Sequence, residues 1–428
     1  MDTIFALASG VLPSGVAVVR LSGPRAFTVA KEIAGPLPTL RQVGLRTIRN
    51  RNNEALDQGV VVAFEGPNSF TGEDVVEFQL HGSVAVVNAL SAILDSFEGV
   101  RQAEAGEFTQ RAFMNGRFDL TAAEGLASLI DAETEAQRQY ALRQATGEAY
   151  AVYRGWQEQM LGLRALSEAE IDFSDEDGVS DDVGRRIGAD AAELADTIEQ
   201  HLAHAEGARQ IRDGVCVVLA GAPNVGKSSL FNALLGEDRV LVSPVAGTTR
   251  DYIEARLDIG GVLVRLIDTA GLRHGVDEVE KAGIERSYAM LEKADLIIAL
   301  SEEGAAPAAL PDGGKPVLRF TTKCDDDAVG RRISVSDPSS IARVRAVVKD
   351  AVDALVARSI NATPISQRHV SYLRVCVEEL RRVADDELDH GLRGEKLRAA
   401  SEALGRITGN FGVEDVLGAI FSRFCVGK

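Results

Sequence analysis

The sequence predicts a multidomain protein of the α/β plus α class, with a mostly parallel α/β block inserted into a helical domain. Three observations predict it. Short apolar runs punctuated by glycine and proline fill residues 1–118. Helical periodicity dominates 119–212 and returns over 357–428. Between them, over 213–356, strands alternate with helices, the sign of a parallel sheet. A chain of 428 residues also exceeds one core, so two or three domains are expected.

In the first stretch, Val16–Leu21, Gly59–Phe64 and Asp74–Phe78 read as strands. His81–Phe97 reads as a helix with Val84, Val87, Leu90, Ile93 and Leu94 on one face. Leu126, Leu129 and Ile130 open the helical region at helical spacing, and the acidic run Asp172–Gly178 interrupts it. The longer acidic run Asp172–Asp182 is most simply a solvated loop. Near the end, Leu373, Val377, Leu380 and Ala384 share a helix face.

Composition narrows the function. Apolar residues make up 45% and charged residues 26%, which is ordinary globular usage. The formal charge of −18 is not that of a dedicated nucleic-acid binder, so if this protein handles RNA it should lean on a basic partner or on one local face. Four cysteines (Cys216, Cys324, Cys376 and Cys425) form no CxxC pair, as expected of free thiols in a reducing cytoplasm. No signal peptide is apparent and no apolar run is long enough to span a membrane.

The chemistry concentrates in the inserted block. The apolar run Val215–Ala220 reads as a buried parallel strand. Gly221-Ala222-Pro223-Asn224-Val225-Gly226-Lys227-Ser228 follows and matches G-x-x-x-x-G-K-[ST]. Its glycines let backbone N–H groups of Asn224, Val225 and Gly226 curl around phosphate oxygens, and the next helix, through Ser229, aims its N-terminus at the anion. Lys227 would reach the β- and γ-phosphates, and Ser228 would bind Mg²⁺. In Gly247-Thr248-Thr249-Arg250-Asp251, Thr249 is the favoured further Mg²⁺ ligand, although such a run is also simply a turn. Asp268-Thr269-Ala270-Gly271 ends the strand Val262–Ile267. Asp268 would hold Mg²⁺, and the Gly271 N–H would sense the γ-phosphate.

The base is read by Thr322-Lys323-Cys324-Asp325, after the strand Pro316–Phe320. GTPases usually carry Asn-Lys-x-Asp there. Asp325 keeps the contact to two guanine nitrogens, and Thr322 replaces the Asn. An adenine would leave that carboxylate unpaired, so GTP is expected. Ser334-Val335 is a candidate for the last guanine motif. Together these motifs predict a Ras-like P-loop G domain. Leu272 stands where a water-positioning glutamine could follow Gly271, so another group must orient water and neutralise charge. In GTPases such an added positive charge is worth roughly 10³–10⁵ in rate. Asn224 is a candidate ligand for a monovalent cation in that role.

The phosphate loop, Gly-Thr-Thr-Arg-Asp, Asp-Thr-Ala-Gly-Leu-Arg and the terminal Phe424-Cys425-Val426-Gly427-Lys428 together resemble the MnmE (TrmE) family of tRNA modification GTPases. Gly66-Pro67-Asn68-Ser69-Phe70-Thr71-Gly72-Glu73-Asp74, Arg111-Ala112-Phe113 and Asp119-Leu120 are similar to that family as well. The resemblance covers essentially the whole chain.

It implies an N-terminal folate-binding and dimerisation domain (1–118), a helical domain in two parts (119–212 and 357–428) and an inserted G domain (213–356). It implies a homodimer working with the flavoprotein MnmG in a heterotetramer. That complex adds an aminomethyl or carboxymethylaminomethyl group to carbon five of the wobble uridine of certain tRNAs. A tetrahydrofolate derivative, methylene- or formyl-tetrahydrofolate, supplies the carbon. By position, K⁺ would be held by Asn224, the Thr248 hydroxyl and the carbonyls of Ser243 and Val245. Glu280 would orient catalytic water, acting with Lys227 and Gly271. Folate would be held by Arg20, Glu77, Arg117 and Lys428, with Arg117 where the family often has Lys.

Plainer readings stand beside these. Glu280 could be a solvated glutamate, Arg20 a surface arginine and Glu77 an exposed strand position. Cys425 could be a packed residue or a thiol that attacks carbon six of uridine. A ribosome-assembly GTPase of the Era or Der type would share the G motifs, but would add a second G domain or a GXXG loop on a basic face, and neither is visible. A folate aminomethyltransferase with a decorative nucleotide domain fits poorly with a full set of GTPase motifs.

Overall fold

A computed structural model describes residues 2–172, 179–237, 253–268, 288–305, 310–311, 314–323, 331–385, 389–410, 414–421, 424 and 427. In chain order the first elements are β1 (Thr3–Leu7), β2 (Ser14–Ser22), α1 (Ala26–Ala34), β3 (Gly44–Arg49), β4 (Ala55–Phe64), β5 (Val75–Gly82), α2 (Val84–Asp95), β6 (Val100–Gln102), α3 (Glu107–Met114) and α4 (Leu120–Ile130). Next come α5 (Glu135–Ala145), α6 (Glu148–Asp172), α7 (Val179–Leu202), α8 (Ala205–Asp213), β7 (Val215–Gly221), α9 (Lys227–Glu237), β8 (Ile253–Ile259), β9 (Val262–Asp268), β10 (Leu296–Glu302) and β11 (Val317–Thr322). Four helices close the chain: α10 (Pro338–Val356), α11 (Gln367–Val383), α12 (His390–Thr408) and α13 (Glu414–Phe421). They group into two units, residues 1–127 with 404–428, and residues 128–403.

The first unit is built on a six-stranded sheet of order β3-β4-β5-β2-β1-β6. Its neighbours are antiparallel except for β1 and β6. Alternating side chains therefore serve two faces. Val19, Leu21, Val61, Val76 and Phe78 pack under Val29 and Ile33 of α1 and Leu90 and Leu94 of α2. On the other face Ile4 and Ala6 meet Phe108 of α3 and Phe70. The C-terminal residues belong here too. Leu417 and Phe421 of α13, with Phe424, pack on Leu120 and Ala123 of α4. Gly427 has φ +103°, and a Cβ there would lie 2.0 Å from the Leu7 carbonyl oxygen, so only glycine lets the tail pass against β1.

The expected helix over 81–97 starts later. His81 lies in β5, opposite Val16 of β2, with its Nδ1 2.8 Å from Asp57. Ser83 in extended conformation caps α2, its side chain accepting from the Ala85 N–H at 3.2 Å. A strand ending in Gly82 and a serine cap override the apolar periodicity that runs back towards His81.

In the second unit the five-stranded sheet has the order β11-β10-β7-β9-β8 and is parallel except for the β8–β9 hairpin. β7 is buried from Val215 to Ala220, as a strand covered on both faces must be. α7 packs between α6 and α11. At their centre the Tyr153 hydroxyl lies 3.2 Å from His201 Nε2 and 3.1 Å from His369 Nδ1. α8 runs directly into β7. The buried Asp295 carboxylate ties the two elements: it accepts from the Cys216 N–H at 2.8 Å and from Gln210 Nε2 at 3.3 Å, and it pairs with Arg209. The nucleotide-type sheet is thus mounted on helices at the end opposite its phosphate loop.

Candidate active site

β7 delivers the chain to the phosphate loop at the C-terminal edge of the sheet, where open α/β sheets place their ligands. Gly221 has φ +151°, and a Cβ there would sit 2.6 Å from the Leu300 carbonyl oxygen on neighbouring β10. Gly226 has φ +101°. Among the described residues, Asn224 at φ +60° is one of few non-glycine residues in the left-handed region, which asparagine tolerates better than most. These turns curl the loop before α9 begins at Lys227, so the first N–H groups of α9 face the loop. Lys227 is buried, and its Nζ donates to the carbonyls of Gly221 at 2.9 Å and Ala222 at 2.8 Å. Val225 is buried, whereas Asn224, Ser228 and Ser229 are exposed.

Parallel pairing brings the metal-ligand candidates together. The β7–β9 register sets Asp268 opposite Leu219, beside the loop. The Ser228 hydroxyl donates to Asp268 Oδ2 at 2.6 Å. Asp268 is only 1% exposed, and a carboxylate buried to that degree needs donors or a cation. Two hard oxygen donors this close suit Mg²⁺.

The guanine motif enters from β11. Thr322 is buried, and its hydroxyl donates to the Val225 carbonyl at 2.6 Å. Lys323 turns with φ +59°, and its Nζ lies 2.5 Å from Glu302 Oε1. Ser334 follows, its N–H donating to Ser340 Oγ at 3.1 Å. Ser243, Val245, Thr248, Thr249, Gly271, Glu280, Asp325, Cys425 and Lys428 lie outside the described residues.

The first unit carries a second polar constellation. Arg20 of β2 and Glu77 of β5 are directly opposed, and their side chains meet at 2.8 Å. The Arg20 guanidinium carbon lies 5.0 Å from the Phe70 ring centre and 5.7 Å from that of Phe108. Phe70 in turn packs on Phe118 at 6.1 Å. Sequence reasoning missed these aromatic walls, although Phe70 stands inside a motif already singled out. Arg117 is exposed and its stem lies across Gly72. Glu73 accepts from Ser22 at 2.8 Å and pairs with Arg111 at 3.2 Å, which pins the Gly66–Asp74 segment to α3. Glu107 completes this cluster. Burial alone would raise its pKa, but hydrogen bonds from Arg101, the Glu104 N–H and Arg111 outweigh it and hold the carboxyl at about 2. Burial pushes the Cys376 thiol up to about 12 and raises that of Cys216, so neither is a ready nucleophile.

A phosphate loop between a buried strand and a helix, an Asp–Ser pair at the next parallel strand and a tethered guanine-type segment define a P-loop GTPase. Two family descriptions then match nearly the whole chain: GTP-binding protein TrmE N-terminus over residues 3–117 and MnmE helical domain over residues 120–425. A tRNA modification GTPase MnmE of Brucella anthropi is 45% identical, with 100% of this chain and 98% of that protein covered. Its counterpart in Brucella canis is 44% identical over the same shares. Among solved structures the likeness is local. The G domain of the T. maritima FeoB iron transporter aligns with 33% of this chain and 98% of its own at 25% identity, with a TM-score of 0.22. The chain belongs to the MnmE (TrmE) family of tRNA modification GTPases.

Proposed function

We propose that this GTPase acts on tRNA as its relatives' name states, working with the flavoprotein MnmG to modify carbon five of the wobble uridine. The observation that carries the hydrolytic part is the 2.6 Å contact between Ser228 and Asp268 at the mouth of the phosphate loop. Mg²⁺ would be held there by Ser228, Asp268 and Thr249, and it would neutralise charge on the phosphates. Lys227, whose Nζ donates to the Gly221 and Ala222 carbonyls, would receive the β- and γ-phosphates. Asn224, exposed on a left-handed turn of the loop, would share K⁺ with Ser243, Val245 and Thr248. Glu280 would orient the attacking water, and Gly271 would sense the γ-phosphate.

The folate part rests on the Arg20–Glu77 pair under Phe70. A paired cation and anion beside an aromatic ring fit a pterin and its glutamate tail. Arg117 and Lys428 would complete the pocket, and Gly427 already runs against Leu7 of β1, one residue from the partner of Arg20. A tetrahydrofolate derivative would supply the one-carbon unit. Val16 (55% exposed) and Leu45 (62% exposed) leave apolar surface on the sheet of this unit, which suits homodimerisation through the N-terminal domain. The division at 118, 212 and 356 is our reading of the domains. Among the described residues no helix is long and apolar enough to cross a membrane, and we place the protein in the cytoplasm.

Nucleoside mass spectrometry on bulk tRNA from cells with and without the gene tests the reading. Loss of aminomethyl-type wobble uridines, restored by the wild-type gene but not by Asp268→Ala, is expected. An unchanged profile would remove the tRNA assignment and favour a ribosome-assembly switch.

A further inference from the structure

Phe70 meets the Arg20 guanidinium from a loop, not from a strand or a helix. Residues 65–74 join β4 to β5, so the place of the ring depends on what ties that loop down. The ties are polar and buried. Thr71, next to Phe70, is fully buried. Its Oγ1 lies 2.7 Å from Ser22 Oγ, and its carbonyl accepts from Asn115 Nδ2 at 2.7 Å. Ser69, on the other side of Phe70, donates to the Glu73 carbonyl at 2.5 Å. Ser22 also donates to Glu73 Oε2, and it stands two residues from Arg20 on β2, on the same face of the sheet. Among the described residues Arg111 of α3 is the one cation paired with Glu73. Its guanidinium bridges three acceptors: the Asp2 carbonyl at 2.7 Å, Glu107 at 2.8 Å and Glu73 at 3.2 Å. The Arg111 and Glu73 side chains are each 12% exposed, so water screens the pair little.

We propose that Arg111 is a positioning residue for the folate site: through Glu73 it holds the β4–β5 loop so that Phe70 stays on the Arg20 guanidinium and a pterin meets a ready-made wall. This rests on the folate reading and deepens it, because Arg111 acts through the loop and not on the ligand. A planar fork can serve three acceptors at once, whereas a lysine in its place would keep the charge and lose the bridge. Weakening the pair leaves the Glu73 carboxylate nearly buried without its cation. The relief open to Glu73 is to turn towards water, which carries the loop and Phe70 away from Arg20. A ligand would then have to order the loop as it binds, and its affinity falls accordingly.

The test is a calorimetric titration of the full chain with 5-formyl-tetrahydrofolate, run as a double-mutant cycle. Arg111→Lys should weaken the ligand about tenfold in the wild-type background. Phe70→Leu keeps apolar bulk, removes the ring and should weaken it by a similar factor. In the Phe70→Leu background the further loss from Arg111→Lys should shrink to within about twofold, because the group it positions is gone. Thermal melts show that each variant is folded at the temperature of the titration. Should Arg111→Lys fail to fold, Glu73→Gln takes its place in the cycle, since it keeps an acceptor for Ser22 and loses the ion pair. Wild-type affinity in the Arg111 or Glu73 variant, or in Phe70→Leu, would overturn the proposal. So would a loss of the same size in both backgrounds, which would make Arg111 a support of the whole domain and not of Phe70. A wild type that does not bind the folate would instead sink the folate reading.

Discussion

The phosphate loop draws its residues from eight consecutive positions, 221–228, whereas Arg20, Glu77 and Arg117 come from β2, β5 and the turn after α3. The sheets beneath them differ in the same sense. β7 is apolar throughout and passes its loop out at one edge of a parallel sheet, so one short motif carries both strand and site. The N-terminal sheet is largely antiparallel, and its second face holds a salt bridge between strands that are far apart in sequence. A site made of backbone N–H groups can be written in one stretch of glycines. A pocket made of side chains needs the whole fold to assemble it.

That contrast can be broken by variants that disable one site and spare the other. The largest effect is expected from Asp268→Ala, which removes a buried oxygen beside Ser228. GTP hydrolysis, read as phosphate release, should fall about 10³-fold with folate binding unchanged. Loss of folate binding as well would show that the two sites are not independent. Next comes the cation. Hydrolysis should be at least ~10-fold faster in K⁺ than in Na⁺ and the difference should vanish in Asn224→Ala. Equal rates in both salts would remove K⁺ from the site. Arg20→Ala should weaken 5-formyl-tetrahydrofolate about tenfold in a calorimetric titration, with GTPase rates as in wild type. Undiminished binding would return Arg20 to the surface.

The smallest effect separates the two units by pH. Burial, with the neighbouring His369 and His204 charges, lowers His201 from 6.5 to about 4. Its contribution is complete above pH 6.5 and is lost as pH falls towards 4. Glu107, lowered from 4.5 to about 2, contributes fully above pH 4.5 and loses that contribution only towards pH 2. The second unit should therefore weaken first on acidification, by a few degrees in midpoint. His201→Gln should flatten the upper window and Glu107→Gln the lower one. Identical pH profiles for wild type and both variants would contradict this order.

Legibility followed the same division. The strand before the phosphate loop, the loop itself and the strand ending in Asp268 could be read from residues alone, because local apolar runs and glycine spacing determine them. The start of α2 could not, since His81 continues an apolar pattern that Gly82 and Ser83 cut short. The bond from Thr322 to Val225 spans 97 positions and follows from the β10–β11 and β7–β10 registers, which no local pattern contains. Arg20 and Glu77 were legible only through resemblance, and their direct opposition across β2 and β5 emerged from strand register.

The passage of Gly427 against Leu7 also bears on biosynthesis. Leu417, Phe421, Phe424 and Gly427 leave the ribosome after the whole of the second unit, yet they pack on α4 and against β1, which are made before it. The N-terminal unit therefore holds an unfilled seam throughout translation, and its closure is a late, long-range event of the kind that slows folding and invites chaperone assistance.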